Sequence, residues 1–178
     1  RAGASGPAMR VTPKRPNRPA TKSGYIFSNP SPEGTFAPGT PQFLFWQCRE
    51  AAIAALEAWE SSAGGHKRWQ GNRKKLALLQ DAGEELNAFY DRLSFSFFHQ
   101  TIGTETFFSG ASTDVVAHEV GHGLLDSIRA DFWDINFLEV GAFHEAFGDC
   151  MAILTALSDR ESRQKLLTVA DNLRKRNF

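Results

Sequence analysis

The stretch Ser112-Thr113-Asp114-Val115-Val116-Ala117-His118-Glu119-Val120-Gly121-His122 decides how this chain is read. Its last five residues place two histidines four positions apart. On a helix of 3.6 residues per turn, positions i and i+4 lie one above the other, so both imidazoles can reach a single ion. Glu119 then stands beside that ion, where its carboxylate can take a proton from water. The pattern is that of a metal-dependent peptide-bond hydrolase, His-Glu-x-x-His.

Two histidines do not complete a catalytic zinc site, which takes three protein ligands and keeps one position open. The third ligand is expected from the second cluster, His144-Glu145-Ala146-Phe147-Gly148-Asp149. Glu145 sits within an apolar helical pattern (Val140, Phe143, Phe147, Met151, Leu154, Leu157) that predicts a helix packed on the first one. Asp149 shares the face of Glu145. From there it can accept the free ring N–H of His118 and fix the tautomer of that ligand. His-Glu-x-x-His alone also occurs on exposed helix faces that bind nothing, so the second cluster carries much of the argument. His144 points from a different face and reads as a residue of the site's rim or support; His66 and His99 read as surface or packing residues.

These motifs resemble those of the thermolysin-like gluzincin metallopeptidases, in which His-Glu-x-x-His is followed by a helix bearing Glu-x-x-x-Asp. The likeness covers roughly residues 80–158. Leu86-Asn87-Ala88-Phe89-Tyr90-Asp91 resembles the edge strand of that family, which would hold an extended substrate at Asn87 and Ala88. The resemblance implies an α+β, zincin-like fold: a small mixed sheet with its edge strand beside the cleft, a backing helix, the metal helix and the glutamate helix. It further implies one zinc ion on His118, His122 and Glu145, with Glu119 as general base. The cofactor is thus zinc and the partner a peptide or protein.

The chain also departs from that family. Asn136 stands where a tyrosine that helps stabilise the oxyanion is expected, so Asn136 becomes the possible oxyanion donor. No histidine follows His144 to supply a second one. Because such a donor is worth about 3 kcal/mol, two functional readings stand: a zinc endopeptidase, or a catalytically impaired zinc-binding pseudopeptidase or peptide-binding fragment of a longer enzyme. The resemblance also suggests calcium near Asp114, but Ala156 occupies the place of a required acid. Ser112, Thr113 or Asp114 is more simply the cap of the metal helix.

Composition bounds the rest. The 178 residues, 42% apolar, suffice for one domain with a real core, and Lys+Arg and Asp+Glu balance at 20 each, which argues against nucleic acid as a partner. No stretch reads as a membrane span. Residues 1–38 read as a basic, proline-rich arm and irregular lead-in: Arg1, Arg10, Lys14, Arg15, Arg18 and Lys22 come with no acid among residues 1–22, and residues 25–38 are rich in Pro, Gly and Ser. Residues 39–178 read as the metallopeptidase domain, cut short at its C-terminal end. A chain that starts at Arg1 has lost its natural start, and only the resemblance favours secretion.

Within 39–178, Thr40-Pro41 signals a helix start and Leu44, Phe45, Cys48, Ala52, Leu56 and Trp59 recur at helical spacing, with Gly64-Gly65 as the stop. Residues 74–80, 86–90 and 95–98 read as strands, with 106–108 completing a hairpin, and 163–176 as a last helix. Cys48 and Cys150 both fall on apolar faces and read as buried free thiols.

Overall fold

The computed structural model describes residues 6–16, 22–64 and 68–176. Helix α1, Pro41–Ala63, starts where Thr40 accepts the N–H of Phe43 at 3.3 Å and stops at Gly64, whose φ of 81° gives the left-handed turn that glycine adopts without strain. Much of its circumference is buried, including Cys48 and every residue from Ala51 to Leu56. Burial also raises the Cys48 thiol above its ordinary range, so it packs as an inert apolar group.

One side of α1 lies against a four-stranded mixed sheet. Strands β2 (Gly24–Phe27), β4 (Lys75–Leu79), β5 (Ala88–Tyr90) and β6 (Ser94–Phe97) run in the order β2-β4-β6-β5. β2 with β4 and β4 with β6 pair parallel, and β5 closes the row antiparallel to β6, with Tyr90 opposite Phe95. A core of aromatic rings, Tyr25, Trp69 and Phe95, ties sheet to helix, and the Tyr25 hydroxyl donates to the Ala52 carbonyl at 2.9 Å. Because β5 is the last strand, its outer edge has no strand partner in this sheet.

Two helices complete the layer. Helix α2, Thr113–Ile128, is capped by Ser112, which accepts the N–H of Val115, and buries Val116, Val120 and Leu124. Helix α3, Leu138–Ser158, crosses α2 and inserts Met151. Glycine sets their separation. A Cβ on Gly121 would lie 2.8 Å from the Gly148 Cα, and one on Gly148 would lie 2.8 Å from the His118 ring, so the two backbones touch at that crossing. Gly123 is narrow for a different reason: a Cβ there would meet the Phe95 ring at 2.7 Å. Helix α4, Arg160–Arg176, comes next in the chain, with Asp159 accepting the Ser162 N–H.

The architecture is α+β, and the readings of the lead-in, its arm and Cys150 need correction. The lead-in is not irregular throughout: β2 is an edge of the main sheet, and β1 (Met9–Val11) pairs antiparallel with β3 (Gly34–Phe36). The arm is docked where it is described, since Arg15 reaches Glu50 at 3.3 Å and Glu57 at 3.2 Å on α1, and Arg49 donates to the Arg15 carbonyl. Backbone pairing and carboxylates distant in sequence offset the ordering cost that local composition suggests. Arg1, Arg18, Gly65 and His66 lie outside the described residues. Residues 106–108 form their hairpin with β7 (His99–Ile102), as strand β8 (Glu105–Phe108), turning at Gly103. Cys150 is exposed, although it is free, as expected.

The expectation about membrane spans turns on α3. By length and composition it is apolar enough to cross a membrane, the one such helix among the described residues. Three acids, Glu139, Glu145 and Asp149, and its packing on α2 make it a helix with one polar face, and a membrane span is not indicated. Its outward face leaves Phe143, Ile153, Leu154 and Leu157 exposed.

Candidate metal centre

His118 and His122 project from one face of α2 with ring centroids 4.7 Å apart. Their ring nitrogens and the Glu119 carboxylate form a group whose ligand atoms all lie within 4.8 Å of one another, close enough to hold a metal ion. Glu145 enters from α3: one carboxylate oxygen is 3.2 Å from His118 Nε2 and the other 3.7 Å from His122 Nε2. Ligands about 2.0–2.1 Å from a tetrahedral ion stand roughly 3.3 Å from each other. The spacing of these three side chains suits such an ion. Asp149, one turn on, lies 3.0 Å from His118 Nδ1 and so receives that ring N–H, leaving Nε2 free to bind.

Helix crossing explains why residues so far apart in the chain converge. Were α3 displaced by the width of a methyl group at Gly148, Glu145 and Asp149 would move away from His118 together. Glu145 and Asp149 are largely solvent-exposed, at 68% and 74%, whereas Glu119 is buried beneath them at 7%. The difference assigns them different chemistry. Glu145 and Asp149 stand open to an incoming ion, whereas burial makes Glu119 hold its proton more tightly.

In the metal-free chain, burial pushes the Glu119 carboxyl up to about 7; His118 opposes the shift, Glu145 adds to it, and the Tyr90 backbone N–H lowers it slightly. Proton uptake and release are therefore balanced near neutrality, which suits a general base that must later act as an acid. Burial also takes His122 down to about 4, with the His118 ring contributing. His122 is consequently neutral at physiological pH, the form in which an imidazole ligates.

The cleft containing these residues is a cavity of about 480 Å³, bounded on one side by β5 and on the other by α3. Ala88, Phe89 and Tyr90 form the strand wall. Asn87 and Ala88 continue it into an adjoining cavity that also contains His118, Asp114 and Asp149. His144 lines the main cavity, its ring 5.7 Å from that of His122, and its Nε2 is buried without a hydrogen-bond partner among the described residues. Burial lowers its basicity. His99 instead pairs with Asp81 at 2.7 Å, on the surface.

Asn136 is exposed and is not among the residues lining the cavity. Phe132, Trp133 and Ile135 from the α2–α3 connection, and Val140 from the first turn of α3, line it instead. Sequence reasoning missed Trp133, although Asp131-Phe132-Trp133-Asp134 is a visible aromatic pair in an otherwise polar turn. Behind it, the fully buried Asp126 carboxylate accepts from the Tyr90 hydroxyl at 2.9 Å and from Arg92 at 2.7 Å, and Arg92 also donates to the Ala130 carbonyl. This cluster ties the edge strand, the metal helix and the connection together.

No protein-family model matches the chain, and a search of curated proteins finds no match.

Proposed function

We propose that the chain is a zinc-dependent endopeptidase of the thermolysin-like, zincin-fold type. The observation that carries the reading is Glu145 lying within 3.2 and 3.7 Å of the two histidine Nε2 atoms, while Glu119 stays buried beside them. His118, His122 and Glu145 would hold one zinc ion. Zinc there supplies a Lewis acid that polarises a carbonyl and brings the pKa of water toward about 7.

The chain's own residues account for the remaining steps. An extended peptide adds to the open edge of β5, where Ala88 sits at the junction of the two cavities and backbone hydrogen bonds fix its register. Glu119 takes a proton from the attacking water and returns it to the leaving amine. Asp149 holds the His118 ring in the ligating tautomer. Calcium has no support in the described residues beyond Asp114, which sits in the first turn of α2.

The test is hydrolysis of an unstructured protein by the zinc-loaded chain, with Glu119→Gln as the blank. Zinc-dependent cleavage lost in Glu119→Gln is the expected result. Cleavage retained by that variant, or zinc retained by Glu145→Ala, would overturn the assignment.

A further inference from the structure

We propose that the cleft selects peptides by an aromatic side chain on the N-terminal side of the bond held at the metal-binding group. The proposal rests on the endopeptidase reading for the position of that bond, and its test does not require turnover. The two ends of the cleft differ in chemistry. At the Asn87 end the walls mix acids, Asp114 and Asp149, with aliphatic side chains, Leu86, Val115 and Ala152, and carry no Phe, Tyr or Trp. At the Tyr90 end they are aromatic and apolar, with Phe89, Phe132, Trp133 and Ile135 beside His144.

The aromatic wall is both open and fixed. Phe89, Trp133 and Ile135 keep 37%, 40% and 36% of their surface exposed, an unusual cost for three large apolar side chains in one concavity. Trp133 is nevertheless clamped from behind. The Arg92 guanidinium lies 5.0 Å from its ring centre, and the Tyr90 ring meets it edge-on at 5.5 Å. Arg92 is in turn held by the buried Asp126. A platform ordered before the ligand arrives loses little entropy on binding. Its partner is best another aromatic ring, which adds stacking or edge contacts to the area that any apolar side chain would bury.

Strand direction assigns the side. β5 runs from Ala88, which lines both cavities with His118 and Glu119, toward Tyr90, which lines only the aromatic one. A peptide pairing antiparallel, the more stable ladder, runs the opposite way. Residues before the bond at Ala88 therefore lie along Phe89 and Tyr90, facing Trp133.

The experiment measures binding of labelled eight-residue peptides to the zinc-loaded Glu119→Gln chain by fluorescence anisotropy. Each peptide carries a bond of fixed composition, with Phe, Leu or Ala placed one or two residues before or after it. Phe before the bond should bind about tenfold or more tighter than Ala, and about two- to tenfold tighter than Leu. Trp133→Ala should remove the Phe preference; because Trp133 also covers Arg92, Ile135→Ser serves as a second variant that leaves the clamp alone and should weaken the same preference. Equal binding of the Phe and Ala peptides, or a preference found only after the bond, would overturn the proposal. If the preference is found but the wild-type chain cleaves none of these peptides, the selectivity stands and the endopeptidase reading falls. Cleavage without aromatic discrimination gives the reverse.

Discussion

Replacing Gly148 by alanine perturbs the metal centre through a single methyl group. That methyl would lie 2.8 Å from both Cε1 and Nδ1 of His118, and 2.9 Å from its Cγ. Carbon contacts are comfortable at about 3.5 Å or more, so ring and helix must part by roughly 0.7 Å. The ring cannot simply rotate aside, because Asp149 holds its Nδ1 at 3.0 Å and the His122 ring stands 4.7 Å from it, centre to centre. Alanine gains about 1 kcal/mol of helix propensity over glycine, while overpacking costs about 1–3 kcal/mol. Stability should therefore change by no more than about 2 kcal/mol. Zinc affinity, which depends on Glu145 and Asp149 remaining in reach of His118, should fall about 10- to 100-fold, the range seen when the partners of ligand histidines are disturbed. A competition titration against a chromophoric chelator gives the affinity, and a urea melt of the metal-free chain gives the stability. Undiminished affinity in a folded Gly148→Ala chain would show that the crossing does not set the ligand geometry.

Other substitutions separate the remaining roles. Asp149→Ala should lower zinc affinity about 10- to 100-fold without abolishing it, read by the same titration. Glu119→Gln should stabilise the metal-free chain, with a definite pH dependence: a carboxyl raised to about 7 in the fold stabilises it below its unfolded value of 4.5 and loses that contribution as pH rises through 7. The gain from glutamine should thus be small at pH 5 and reach on the order of 2 kcal/mol at pH 8, measured by urea denaturation at both values. Asp126→Ala leaves Arg92 and the Tyr90 hydroxyl without their buried acceptor, and should cost about 3–5 kcal/mol in the same assay. A loss below about 1 kcal/mol would mean that the cluster is replaceable by solvent.

Local signals located most of the helices. Thr40-Pro41 is a cap in the sequence and in the structure, Ser112 is the one of three candidate residues that caps α2, and the apolar spacing through Val140, Phe147 and Met151 marks α3. The convergence of His118, His122, Glu145 and Asp149 was legible because helical periodicity fixes what shares a face. Where no period constrains the chain, legibility ends. The connection from α2 to α3 turns on a short 3₁₀ segment, Ala130–Asp134, and counting along it selects Asn136 although Trp133 lines the cleft. Strands of three or four residues, such as Met9–Val11 and Gly24–Phe27, are too short to show alternation, and prolines nearby obscure them. Arg15 finds Glu50 and Glu57 only once α1 exists, so no local reading could order the arm.

The Asp126 cluster also bears on the order in which the molecule assembles. α2 and α3 are neighbours in sequence and meet through a short connection, so their pairing closes a small loop and can form early. The joint between Asp126 and the Tyr90–Arg92 strand end spans a longer stretch and demands desolvation of a carboxylate, which is worthwhile only after both strand and helix are in place. The helix pair can then gather its ligands before the strand wall is seated. A chain halted at that stage would already hold His118, His122, Glu145 and Asp149 together while the strand wall of the cleft was still unseated.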